Sequence, residues 1–158
     1  MKNKSVFSLI LWYIPALLVQ YFAGAVTMKS LNPWYLDLIK ASWNPPPWVF
    51  GPVWTLLYLL MAIAVWQISM TGAFKKQKVI CYLLYFGQLL ANGFWSFVFF
   101  GWKMYGFSAI EILFIVAIVT WMTVYYFRIN RTAGWVLVPY LAWLIYASTL
   151  NIAIWYLN

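Results

Sequence analysis

The sequence predicts an all-α membrane protein, a bundle of five transmembrane helices with a structured loop between the first two. Three observations carry this. Hydrophobic residues make up 66% of the 158-residue chain and charged residues 8%, too little charge to coat a water-soluble domain. Five apolar stretches each reach the roughly 20 residues that a helix needs to cross a bilayer. Only one acidic residue, Glu111, lies inside any of them.

The first span reads Val6 to Val26 and carries Pro15 and Gly24. A proline within a helix removes a hydrogen bond and tends to kink it, which membrane helices tolerate when neighbours satisfy the freed carbonyl. Lys2 and Lys4 before an apolar run, with Ala23-Gly24-Ala25 beyond it, have the outline of a secretory leader. The run is nevertheless long enough to cross, and it is read as a span.

The connection from about Thr27 to Pro45 is the longest in the chain. It contains Asn32-Pro33-Trp34-Tyr35 and Ser42-Trp43-Asn44-Pro45-Pro46-Pro47-Trp48. Amphipathic aromatics at this density favour the membrane interface. Three consecutive prolines stiffen the segment. The expectation is a loop that folds back as a lid over the helix ends.

Span two reads Pro46 to Met70, since proline suits the first turn of a helix. Phe50, Trp54, Tyr58 and Met61 recur at spacings of four, four and three and share one face. Span three, Val79 to Gly101, does the same with Gln88, Asn92, Trp95 and Phe99. Its Gly87 and Ala91 form a small-xxx-small pair compatible with a homodimer. Span four is Tyr105 to Phe127, and its end carries Val124, Tyr126 and Arg128 in the order of a loose sterol-type pattern. Span five, Ala133 to Tyr156, aligns Trp143, Ala147 and Asn151, with Pro139 one turn earlier. With five spans in 158 residues the chain is read as one domain, 1–158.

The formal net charge of +8 is a topology signal rather than a nucleic-acid footprint, because the cations sit at span ends. With alternating helices, Lys2, Lys4, Lys75, Lys76, Lys78, Arg128 and Arg131 fall on one side, and Lys29, Lys40 and Lys103 on the other. The positive-inside rule then puts the N-terminus in the cytoplasm and the loop after span one outside. A single cysteine, Cys81, excludes a disulfide within the chain. With no histidine, no zinc site and none of the His-based nucleophilic centres is expected. No general acid–base pair is visible either, which speaks against an enzyme in the strict sense.

The residues that invite a functional reading are the intramembrane amides and the deeper tryptophans. Amides are costly in lipid and face protein or a cavity. Interhelical glue is the plain reading of each. Asn92 and Asn151, however, lie on stripes with tryptophan, and an aromatic wall with a few polar groups is what surrounds a flat organic ligand. Trp54, Trp95 and Trp143 are the candidate walls. Trp12, Trp48, Trp102, Trp121, Trp135 and Trp155 are placed for interface belts. Glu111, about two turns from its helix end, is expected to reach the interface or pair with Lys103.

The ordered set Trp34-Tyr35, Leu38, Lys40, Ser42-Trp43, Pro45-Pro46, Trp48-Val49-Phe50-Gly51-Pro52, Trp54, Leu57-Tyr58 and Met61 resembles the signature of the TspO/MBR family. Gln88-Leu89, Asn92, Trp95, Phe99-Phe100-Gly101 in span three agree with it. So do Pro139-Tyr140-Leu141, Trp143, Leu150-Asn151 and Asn158 at the end. The resemblance covers nearly the whole chain. It implies a five-helix bundle, often dimeric, with a ligand pocket under the first loop. It also implies binding of porphyrins such as protoporphyrin IX, and of isoquinoline carboxamide and benzodiazepine-type ligands. In some relatives it extends to sterols and to light- and oxygen-dependent porphyrin breakdown. By resemblance the pocket tryptophans fall on Trp54 and Trp143, the pocket asparagine on Asn92, and the loop pair on Trp34 and Tyr35. The sterol motif of animal relatives does not carry over, because Ile152 and Tyr156 stand at its tyrosine and arginine places. A bacterial plasma-membrane setting fits this better.

The expected function is therefore membrane tetrapyrrole binding, in sensing, stress response or porphyrin disposal, with no permanently bound cofactor. The alternative is a transporter of porphyrins or sterols. The expected ligand-binding set is Trp34, Tyr35, Pro46, Phe50, Trp54, Asn92, Trp95, Trp143, Ala147 and Asn151. Trp54 and Trp143 are the candidates for photochemistry. Lys29, Lys40 and Lys103, on the loop side, are candidates to meet porphyrin propionates through charge-assisted contacts.

Overall fold

The computed structural model describes residues 2–158, with side chains from Val6 onward. The lysines at positions 2 and 4 carry part of the topology argument, and their side chains lie outside the described residues. Five long helices make up most of the described residues: α1 (Lys2–Ser30), α2 (Phe50–Ser69), α3 (Lys75–Ser96), α4 (Tyr105–Ile129) and α5 (Arg131–Leu157). All five are long and apolar enough to cross a membrane. α1, α4 and α5 run past the apolar stretches that announced them, whereas α2 falls inside its expected span and α3 starts ahead of Val79 but ends at Ser96, where a π-type turn over Phe97–Gly101 takes over. The extra turns hold the flanking charged and polar residues, which stay helical because they can reach the interface while their backbone remains paired.

The packing order around the bundle is α1, α2, α5, α4, α3 and back to α1. α4 and α5 are joined through Asn130 alone, whose extended backbone breaks the helix (φ −148°, ψ 110°) and whose side chain caps α5 by accepting from the Ala133 N–H. A side chain at Gly134 would run into the Phe127 ring, so glycine is what lets the hairpin close. α1 is the peripheral wall. In its most apolar window 11% of residues are buried, against 50% for α3.

The connection after α1 is shorter than the sequence suggests. α1 continues to Ser30, and Leu31–Tyr35 winds on as a wide π-type turn with one non-helical residue, Asn32. Pro47–Val49 form a single 3-10 turn ahead of α2, as the proline run predicts. Between them the segment is stitched to α5. Asn158 accepts from the Ile39 N–H (3.0 Å) and donates to the Ile39 carbonyl (2.9 Å). Tyr146 donates to the Trp43 carbonyl (2.6 Å), and the Trp43 indole to Thr149 (3.3 Å). The expected lid is thus a fastened strap. The end of the bundle beneath it is called here the roof end, and the opposite end, with Lys75, Lys76, Lys78, Arg128 and Arg131, the basic end.

The half of the bundle toward the basic end is solid. Val65, Ile68, Cys81, Tyr85, Val119, Met122, Tyr126, Ala133 and Leu137 are fully buried there. The Tyr126 hydroxyl donates to the Cys81 carbonyl (3.0 Å), tying α4 to α3. This tyrosine is the centre of the loose sterol-type pattern. It points into the core, so that pattern presents no tyrosine to lipid.

Candidate functional site

The half toward the roof is hollow. It holds a cavity of about 480 Å³, within the ordinary range for a small-molecule site. All five helices and the strap contribute wall. Four residues on α2 and α3 recur at helical spacing because their side chains point to the bundle axis: Phe50, Trp54, Asn92 and Trp95. Tyr35 closes the top, and Ala147 and Asn151 face them from α5.

The amides are held rather than free. Asn92 accepts from the Tyr58 hydroxyl (3.1 Å) and donates to the Tyr140 hydroxyl (2.9 Å). Tyr140 in turn donates to Gln88 (2.8 Å), whose amide nitrogen points to the Met61 sulfur (3.1 Å). A buried chain of four polar side chains thus lies at the floor of the cavity. Asn151 accepts from the Trp95 indole (3.0 Å) and donates to Ser108 (3.1 Å) and the Tyr105 carbonyl (3.2 Å). Trp95 stacks on Phe99, with ring centres 5.1 Å apart. The two readings of these amides therefore coincide in space. They join helices, and in doing so they fix the orientation of the aromatic wall.

Three of the ten expected ligand residues lie outside the wall. Trp34 turns onto Tyr105, stacked at 5.9 Å and donating to its hydroxyl (3.1 Å). Pro46 sits in the strap, and its neighbour Pro47 reaches the cavity instead. Trp143 stands behind Phe50, edge-on at 6.0 Å, with its buried indole N–H unpartnered. The three lysines also lie outside. Lys40 caps the Leu36 and Leu38 carbonyls (3.0 and 2.9 Å) with its ammonium 4.9 Å from the centre of the Tyr35 ring. Desolvation there lowers its pKa, partly offset by Asp37. Lys103 covers the Trp34 ring at 5.2 Å, so it is not paired with Glu111, whose Oε2 is buried without a partner. Lys29 is exposed at the end of α1.

Sequence reasoning missed the wall supplied by α1, where Ala23, Gly24 and Thr27 face the cavity, and the pair Ile112 and Ile115 from α4. A Cβ at Gly24 or at Gly51 across from it would meet nothing within 4 Å. Small residues announce themselves only by the space they leave, and a sequence does not display space.

Known proteins are similar to this chain along most of its length. The TspO/MBR family profile matches residues 11–157. The tryptophan-rich protein TspO of Chlorobaculum tepidum is 36% identical over 158 residues, covering 99% of both chains. The tryptophan-rich protein TspO of Archaeoglobus fulgidus is 38% identical over 148 residues, 92% of this chain and 94% of that one. The translocator protein of Homo sapiens is 38% identical over 125 residues, 77% of this chain and 73% of its own. A family match over residues 11–157 and a likeness that runs nearly end to end leave one assignment: this chain belongs to the TspO/MBR family.

Proposed function

We propose that the protein is a membrane receptor for tetrapyrroles, with the roofed cavity as its binding site. The observation that supports this best is the cavity itself, an aromatic-walled hollow inside a membrane-spanning bundle, floored by amides that are already locked in place. Flat conjugated ligands gain from such walls, since aromatic pairs add to the burial of apolar area. Preformed walls also spare the ligand the cost of ordering side chains. Trp54 and Trp95 bring indoles to the wall from two helices. Asn92 keeps an amide N–H beyond the one it gives Tyr140, and that donor is available to a ligand edge.

The chain has no histidine, so haem iron would lack its usual axial ligand. The metal-free ring is therefore the preferred guest. Titration of the purified protein in lipid with protoporphyrin IX and with haem, read by tryptophan quenching, tests this. Protoporphyrin should saturate the signal at lower concentration. Tight haem binding with a ligated-iron spectrum would refute the preference, and no saturable quenching by either would refute the function.

Light-dependent loss of the guest fits the same site, because Trp54 places an oxidisable indole on the wall. Its replacement by Phe should slow bleaching more than it weakens binding. Trp143, one ring removed behind Phe50, should show the smaller effect. The membrane is read as a bacterial plasma membrane with the basic end in the cytoplasm, on the distribution of cations.

A further inference from the structure

The cavity is open on one side. Of its described wall residues, the exposed ones are Met28 near the end of α1 and Pro47, Trp48 and Gly51 around the start of α2. Met28 is 70% exposed and Trp48 74%. The wall supplied by α3, α4 and α5 is buried or half-buried throughout. The opening is therefore the seam between α1 and α2, two membrane-spanning helices, and it faces lipid.

The register of the two helices explains the gap. They run in opposite directions, and the Gln20 amide nitrogen donates to the Thr55 hydroxyl across the seam (2.6 Å). Residues four apart share a helix face. Four residues toward the roof from this bond stand Gly24 and Gly51, and four further on stand Met28 and Pro47. Glycine thus faces glycine, and a Cβ on either would meet nothing within 4 Å. One turn below the bond Ala16 is fully buried, so the seam is shut there. From Gln20 to Met28 the opening is about 12 Å tall at a rise of about 1.5 Å per residue.

The bond at the foot of the opening is easily given up. The Thr55 hydroxyl donates to the Gly51 carbonyl (3.0 Å), so toward Gln20 it acts as acceptor, which fixes the glutamine amide. Gln20 Oε1 is then left buried without a partner. A bond that strands the other half of its own amide contributes little net stability. The roof is held harder. Four hydrogen bonds fasten the strap to α5, and each multiplies the closed population about fivefold. Leaving through the seam breaks one bond, and leaving through the roof breaks several.

We infer that the cavity exchanges its guest with the bilayer through the α1–α2 seam, and that the Gln20–Thr55 bond is the latch on that route. The inference rests on the receptor reading for the identity of the guest alone. The class of guest served is a flat amphiphile dissolved in the roof-side leaflet. Its ring passes edge-on between the two glycines, while its carboxylates stay at the interface beside Lys29, which is exposed next to Met28.

The full chain in liposomes tests the latch. Thr55 is not part of the cavity wall, so Thr55→Val removes the latch and leaves the guest site alone. Association and release of protoporphyrin IX should each quicken about fivefold, with equilibrium affinity kept. Gln20→Cys joined to Thr55→Cys by a short bis-methanethiosulfonate should stop exchange, and a thiol reductant should restore it. Ile39→Cys joined in the same way to Asn158→Cys pins the strap and should leave exchange as it was. A second probe does without the porphyrin. Ser96→Cys sets a thiol in the buried wall, and the native chain gives the background from Cys81. Its alkylation by N-phenylmaleimide dissolved in the lipid should also quicken about fivefold with Thr55→Val. A charged maleimide added in water should not reach it. Unchanged rates with Thr55→Val, exchange through a bridged seam, arrest by the pinned strap or reaction with the charged reagent overturns the route. Faster alkylation in Thr55→Val without saturable porphyrin binding would sink the receptor reading and leave the seam standing.

Discussion

The two halves of the bundle are built from the same kinds of residue and pack in opposite ways. Toward the basic end, tyrosines 85 and 126 send their hydroxyls to backbone carbonyls of the neighbouring helix, and aliphatic side chains fill what remains. Toward the roof, tyrosines 58 and 140 send theirs to side-chain amides, and the space above is left open. A hydroxyl fixed to backbone draws two helices into contact. A hydroxyl fixed to an amide adds the length of that side chain between them. Composition does not separate a wall from a core here; the identity of the hydrogen-bond acceptor does.

Substitutions on either side of the divide should read differently. The largest effect belongs to the solid half. Met122→Ala removes a fully buried side chain and should cost about 2–5 kcal/mol, seen as a lower melting temperature with ligand binding kept in the folded fraction. At the boundary, Tyr140→Phe strips the hydroxyl shared by Asn92 and Gln88. Leaving those amides short of a partner should cost about 1–3 kcal/mol and loosen the floor. Hydrogen exchange along α5 would report it, and unchanged protection would deny the network a structural role.

In the hollow half the sign changes. Ala147→Leu grows into open space, so the melting temperature should hold or rise. Protoporphyrin affinity should fall about tenfold, equivalent to about 1.4 kcal/mol. A fall in stability instead would mean the cavity is already filled by its own walls. The smallest effect is expected at the strap. Asn158→Ala frees the Ile39 backbone at about 1 kcal/mol, raises amide exchange at that residue and speeds ligand release a few-fold. An unchanged release rate would show that the strap is not part of the exit route.

Most of the fold was legible because membrane helices advertise their length in unbroken hydrophobicity. The ends were not, since Lys75 to Lys78 read as a boundary although they form the first turn of α3. The wall was legible wherever large side chains recur at helical spacing, as at Trp54, Asn92 and Trp95. It was obscure where one-dimensional pattern cannot distinguish neighbours in space. Trp34 and Trp143 look like Trp95 in the sequence. Yet Trp34 is claimed by Tyr105, and Trp143 is screened by Phe50. The lysines misled for a related reason. Their place at the loop side was read correctly, but aromatic faces and backbone carbonyls nearer than the cavity hold Lys40 and Lys103.

The single-residue joint at Asn130, with Phe127 seated against Gly134, has a mechanical implication. Two helices hinged so tightly cannot slide or splay independently, so α4 and α5 behave as one stave. Admitting a bulky guest then requires the opposite stave to yield. α1, the least embedded of the five, with Ala23, Gly24 and Thr27 among its residues at the hollow, is the stave with the least burial to lose.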